Sequence, residues 1–117
     1  MSKDDVRRRF RESVFERDNY TCVVCGRRWS SVDMDLSLGR MNAHHIVDRH
    51  EFPDGGYVAE NGVTVCDGAA GSCHMQREEF HISGGTRWSH RFHPEDLYRL
   101  IGSSLEDALV AYDLIKQ

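Results

Sequence analysis

Met41-Asn42-Ala43-His44-His45-Ile46-Val47, followed by Asn61-Gly62-Val63-Thr64-Val65-Cys66, is the stretch on which the fold turns. The first segment reads as a short strand ending in a polar turn. The second reads as another strand, with Val63 and Val65 alternating. Between them, Pro53-Asp54-Gly55-Gly56 is a strong turn signal. Beyond them, Ser72 can cap a helix running through His74 to about Phe80, and Gly84-Gly85 ends that unit. Adjacent strand residues point to opposite sides, so His44 and His45 do not share one task unless the backbone bends.

Cysteines flank this stretch. Cys22-x-x-Cys25 lies in Tyr20-Thr21-Cys22-Val23-Val24-Cys25-Gly26, which suits a zinc knuckle: a tight turn puts two thiolates on one metal, and Gly26 allows the sharp bend. With Cys66 and Cys73 the chain has four thiolates, a closed tetrahedral set for structural zinc. Thiolates are soft donors and favour zinc or iron over magnesium or calcium. A redox dithiol at Cys22 and Cys25, or plain buried thiols, are the alternatives. The redox reading expects a βαβ setting that this region lacks.

The 117 residues are enough for one domain (1–117) with a modest core, 39% of them hydrophobic and 29% charged. A core of that size is commonly stapled, here by the cysteines. The opening residues have no apolar stretch of a signal peptide, and no segment reaches a membrane helix. The expected setting is therefore a reducing, cytoplasmic one without membrane contact, in which paired cysteines suggest metal before disulfide. A formal charge of −4 does not advertise nucleic-acid binding. Local patches decide that matter, and Arg7, Arg8, Arg9 and Arg11, then Arg27 and Arg28, form two of them. A solvated surface is the plain alternative for such charge runs.

Ser2 and Asp5 fit a capping box for a first helix, whose Val6, Phe10 and Val14 form an apolar stripe. Residues 27–40 carry no periodicity and read as a loop. The tail, 93–117, reads as two helices. Pro94 with Glu95 and Asp96 opens one, which Gly102 stops; Ser104 and Asp107 cap the last, where Leu105, Leu109 and Tyr112 line one face.

In these motifs the chain resembles the HNH nuclease family, whose centre is a ββα-metal hairpin-and-helix. The resemblance spans roughly residues 14–82. It rests on Cys22-x-x-Cys25-Gly26, Ala43-His44-His45-Ile46-Val47, Gly55-Gly56 with Asn61-Gly62, and Cys66…Cys73-His74. It implies a small α+β fold: a ββα-metal core over about 41–82, stapled by a four-cysteine zinc site (22–25 with 66–73) and flanked by an N-terminal helix and C-terminal helices. It also implies roles. His44 would bind a divalent metal (Mg²⁺, Mn²⁺, Ni²⁺ or Zn²⁺), His45 would be the general base, Asn61 would steady that base through the loop, and His74 would be a second ligand. The chemistry of the residues agrees. Imidazole titrates near neutrality and can take a proton from an attacking water. A metal neutralises charge developing on a phosphate, and an asparagine carbonyl can hold one histidine tautomer.

The family's commoner last pair is Cys-x-x-Cys, whereas six residues separate Cys66 from Cys73. The surplus, rich in Gly68, Ala69, Ala70 and Gly71, suits a looped-out insertion that leaves both thiols free to reach one ion. Some members place a further ligand four residues after the final histidine, which points to Glu78; His81 is the runner-up on the same helix face. His50, His90 and His93 match no motif position and read as surface residues.

The expected activity is metal-dependent endonuclease hydrolysis of phosphodiester bonds in DNA, leaving by resemblance a 5′-phosphate and a 3′-hydroxyl. The arginine patches would contact phosphates. Trp29, Tyr57 or Trp88 could stack on bases, with packing as the alternative. Two other readings stand beside it: a zinc-stapled nucleic-acid-binding module without cleavage, and a subunit active only within a larger phage or restriction assembly. A homodimer through the C-terminal helices is compatible with the nuclease reading, since cutting both strands generally needs two centres.

Overall fold

A computed structural model describes residues 2–28, 40–48, 50–68 and 72–116. Trp29, most of the predicted 27–40 loop, and Ala69, Ala70 and Gly71 of the predicted insertion lie outside them.

Helix α1 (Lys3–Arg17) starts at the expected cap, where Ser2 Oγ accepts the Asp5 N–H at 3.1 Å. Phe10 and Val14 are buried, while Arg7, Arg9 and Arg11 are exposed and Arg8 pairs with Asp5. The last turn is tied across the chain. Arg17 donates to the Ala59 and Gly62 carbonyl oxygens at 2.5 and 2.6 Å, and Asp18 accepts the Thr64 N–H at 2.9 Å. Gly62 lets the helix come this close: a Cβ there would lie 2.6 Å from Val14 Cγ2 and 2.7 Å from the Phe10 ring.

Strands β1 (Arg40–His45) and β2 (Gly62–Asp67) pair antiparallel, His44 opposite Val63 and His45 opposite Gly62. β1 ends two residues short of the predicted Val47 because its partner strand gives way at Asn61 to a 3₁₀ turn, Ala59–Asn61. Helix α2 (Cys73–Ile82) begins where Ser72 Oγ accepts the Met75 N–H at 3.2 Å, and it runs past the predicted end at Phe80. Phe10 of α1 stacks on His45, whereas His74 of α2 meets His44. Neighbouring strand residues face opposite ways, so the two helices lie on opposite sides of the hairpin.

A short helix that was not expected, α3 (Ser89–Phe92), precedes the tail, which from residue 93 holds the two expected helices, α4 (Pro94–Leu100) and α5 (Leu105–Lys116). A single turn such as α3 is too short to leave a periodicity in sequence, yet its Phe92 is fully buried with Ile46, Val63, Val65 and Leu97. α5 packs through Ala108, flanked by the half-buried Ala111 and Tyr112, and leaves Leu105 and Leu109 46% and 38% exposed. The small alanine side chain allows the close approach that the leucine pattern does not reveal. Among the described residues the result is a small α+β fold with one two-stranded sheet. Among the described residues no helix is long and apolar enough to cross a membrane.

Candidate metal centres and the histidine cleft

Among the described residues, two clusters of metal-ligating side chains form around the knuckle, the hairpin and α2. In the first, one sulfur from each of Cys22, Cys25, Cys66 and Cys73 lies within 4.8 Å of the others. The knuckle is built by backbone bonds: Cys22 N–H to Arg27 O at 2.7 Å, Gly26 N–H to Cys22 O at 2.9 Å, and a positive φ of 82° at Gly26. The end of β2 brings Cys66, and the first residue of α2 is Cys73. All four are free thiols.

The sulfur spacing fits a tetrahedral ion. With Zn–S bonds of about 2.3 Å, the edge of the tetrahedron is about 3.8 Å, and Cys25 Sγ lies 3.7 Å from Cys66 Sγ. The sulfurs also accept backbone N–H groups, Cys73 N–H to Cys66 Sγ at 3.2 Å and Cys25 N–H to Cys22 Sγ at 3.4 Å. Such donors suit thiolates. Burial, together with the neighbouring Cys22 and Cys66 sulfurs, pushes the Cys73 thiol far up. Without a cation Cys73 keeps its proton; a coordinated cation inverts that preference.

The second cluster joins His44 of β1 to His74 and Glu78 of α2, again with ligand atoms within 4.8 Å of one another. Glu78 Oε1 lies 3.7 Å from both His44 Nε2 and His74 Nε2. His44 Nε2 is buried and has no hydrogen-bond partner among the described residues, as expected of an atom reserved for a ligand. Asp67, which motif reading overlooked, places Oδ1 3.2 Å from His74 Nδ1. A carboxylate on one imidazole nitrogen fixes the ring and leaves the other to coordinate. Its only sequence signal was its position next to Cys66. His81 stands apart from this trio and faces Asp48, Nε2 to Oδ2 at 3.8 Å.

His44 and Glu78 open onto a cleft of about 410 Å³ whose lining also includes His45, Asp48, His50 and Arg77. His50 is thus a surface residue at the cleft rim; His90 and His93 are exposed elsewhere. His45 is half-buried, its ring 4.6 Å from Phe10 in a stack and 4.8 Å from Tyr57 edge-on. Tyr57 therefore packs against a histidine, and Trp88 donates to Glu79 Oε2 at 3.1 Å.

Asn61 is fully buried. Its Oδ1 accepts the Val47 N–H at 3.0 Å and the Tyr98 hydroxyl at 2.7 Å, and its Nδ2 donates to Val47 O and Gly56 O at 3.2 and 3.3 Å. These bonds run to loop backbone and a phenol. Asn61 therefore acts on the segment after His45 and does not hold an imidazole tautomer directly. Burial pushes the Tyr98 phenol up to about 12, so it remains a donor. Asn61→Ala would strand four polar groups, at about 1–3 kcal/mol each where no water reaches. The expected loss by urea titration is at least about 3 kcal/mol, against about 1 kcal/mol for Tyr98→Phe. Equal losses would contradict the network.

Burial, then the charges of Arg77, His74 and His45, holds His44 down at about 3 instead of 6.5. The folded protein thus keeps His44 neutral while the unfolded chain takes up a proton below pH 6.5. Stability falls as pH drops from about 6.5 towards 3. With no divalent ion added, wild type should lose about 1 kcal/mol more than His44→Gln between pH 7.5 and 5.5, read from paired melting curves. Parallel curves would refute it.

No family model matches this chain, and neither a curated protein nor a solved structure does.

Proposed function

We propose that the protein is a ββα-metal nuclease of the HNH type, hydrolysing phosphodiester bonds in DNA. The observation that carries this reading is the convergence of His44, His74 and Glu78 on one point, with His44 and Glu78 lining the same cleft as His45. A zinc-stapled binding module has no use for a second set of three ligand atoms around a buried, unpartnered imidazole nitrogen.

On this reading, zinc occupies the four-cysteine cluster and His44, His74 and Glu78 hold the catalytic divalent ion. That ion would neutralise charge developing on the phosphate and the leaving oxygen. His45 draws a proton from the attacking water, its ring held in place by Phe10 and Tyr57. Asn61 keeps the loop that follows His45 in register. Asp67 fixes the ring of His74. The exposed Arg7, Arg9, Arg11, Arg27 and Arg28 supply phosphate contacts that carry no sequence information.

The test is incubation of supercoiled plasmid with the protein and Mg²⁺, Mn²⁺ or Ni²⁺. Nicked or linear product, absent with chelator, is the expected result. Inactivity with every metal would defeat the free-standing enzyme and leave a binding module or a subunit of a larger nuclease assembly.

A further inference from the structure

Arg77 is 5% exposed, an unusual state for a cation without a partner. It lies on α2 between His74 and Glu78 and lines the same cleft as His44 and His45. Its Nε has no hydrogen-bond partner among the described residues, and no carboxylate there makes an ion pair with it. Other arginines of the fold spend their donors. Arg17 spends its donors on two carbonyls and Asp18, and Arg91 donates to Gln76 Oε1 at 2.8 Å. Arg77 is instead packed 5.5 Å from the Phe80 ring centroid. Burial holds the guanidinium below its ordinary value, and the charges of Glu78 and Asp48 offset this only in part. The fold therefore holds a desolvated guanidinium in the cleft with donor capacity unspent.

We propose that Arg77 receives a non-bridging oxygen of a DNA phosphodiester and so anchors the strand beside His45. This rests on the nuclease reading above. The planar fork of a guanidinium matches phosphate oxygens, and the water-poor wall of the cleft strengthens the bond. The other arginine patches are exposed and would bind phosphate loosely; Arg77 is fixed in place by the helix that carries the ligands.

The test uses zinc-containing protein with no other divalent ion added, so that binding is read without cleavage. A short fluorescein-labelled DNA duplex is titrated at several NaCl concentrations by anisotropy. Arg77→Gln should weaken binding and lower the slope of log K against log [NaCl] by about 0.9, one phosphate contact. Arg77→Lys should keep the slope and lose part of the affinity. If Arg77→Gln keeps the full slope and only melts earlier, Arg77 merely packs against Phe80 and the proposal fails. Should Arg77→Gln not fold, wild type answers the question. Its Arg77 Nε–H resonance, assigned with Arg77→Lys, should shift on adding duplex and should need far more inorganic phosphate for the same shift. No shift with duplex, or the same shift at an equal concentration of inorganic phosphate, overturns the assignment to DNA. Plasmid cleavage run alongside separates the two ideas. Salt-dependent binding through Arg77 without cleavage removes the nuclease reading alone, and cleavage with an unaltered Arg77→Gln slope removes this one alone.

Discussion

Removing the zinc proposed for Cys22, Cys25, Cys66 and Cys73 is expected to unfold the protein. A structural zinc site contributes about 10–16 kcal/mol of apparent binding energy at neutral pH, whereas a whole domain is stable by about 5–15 kcal/mol. The cluster also joins three parts of the fold: the knuckle after α1, the end of β2 and the first residue of α2. Native mass spectrometry should show one zinc, and chelation should abolish both that mass and the cooperative melting transition. Substitution separates coordination from packing. Cys73 is buried but Cys25 is exposed, so loss of packing at Cys25 would cost no more than about 0.5 kcal/mol. If the cluster binds metal, Cys25→Ser should be nearly as damaging as Cys73→Ser. A Cys25→Ser protein that melts like wild type would mean inert thiols.

The parts of this design that were legible in sequence are those written in local spacing. Cys-x-x-Cys-Gly, the Ser72 and Ser104 caps and the alternating Val63 and Val65 each describe a few neighbouring residues. Each has its expected local form: the Ser104 Oγ accepts the Asp107 N–H at 3.0 Å, for example. What stayed hidden depends on partners far along the chain. Tyr98 reaches Asn61 across 37 residues, and no spacing rule links a phenol in α4 to an asparagine before β2. Arg77 looks like any solvated cation on an amphipathic helix, yet α2 turns it inward against Phe80. The face of α5 was misleading for a related reason. Leucines mark an apolar stripe, but the closest approach is made by Ala108, whose small side chain gives almost no signal. Glu78 and His81 share a helix face in sequence; only the position of β1 brings Glu78 to His44 and leaves His81 with Asp48.

His45→Ala should lower plasmid cleavage by about 10²–10⁴-fold, the usual contribution of a positioned general base. His44→Ala should fail differently. It removes a ligand, so its activity should recover in part at higher metal concentration, whereas that of His45→Ala should not. The two side chains leave one strand on opposite sides, His44 towards His74 and His45 towards Phe10 and Tyr57, which is why adjacent residues can be tested as separate functions. Because His45 also packs between two rings, its removal lowers stability, and activity must be compared well below both melting temperatures. The same packing supplies a control. The slot left between Phe10 and Tyr57 has the shape of the lost ring, so added imidazole should restore part of the cleavage by His45→Ala and none by His44→Ala. A folded His45→Ala variant within tenfold of wild type would sink the base assignment while leaving the metal trio intact.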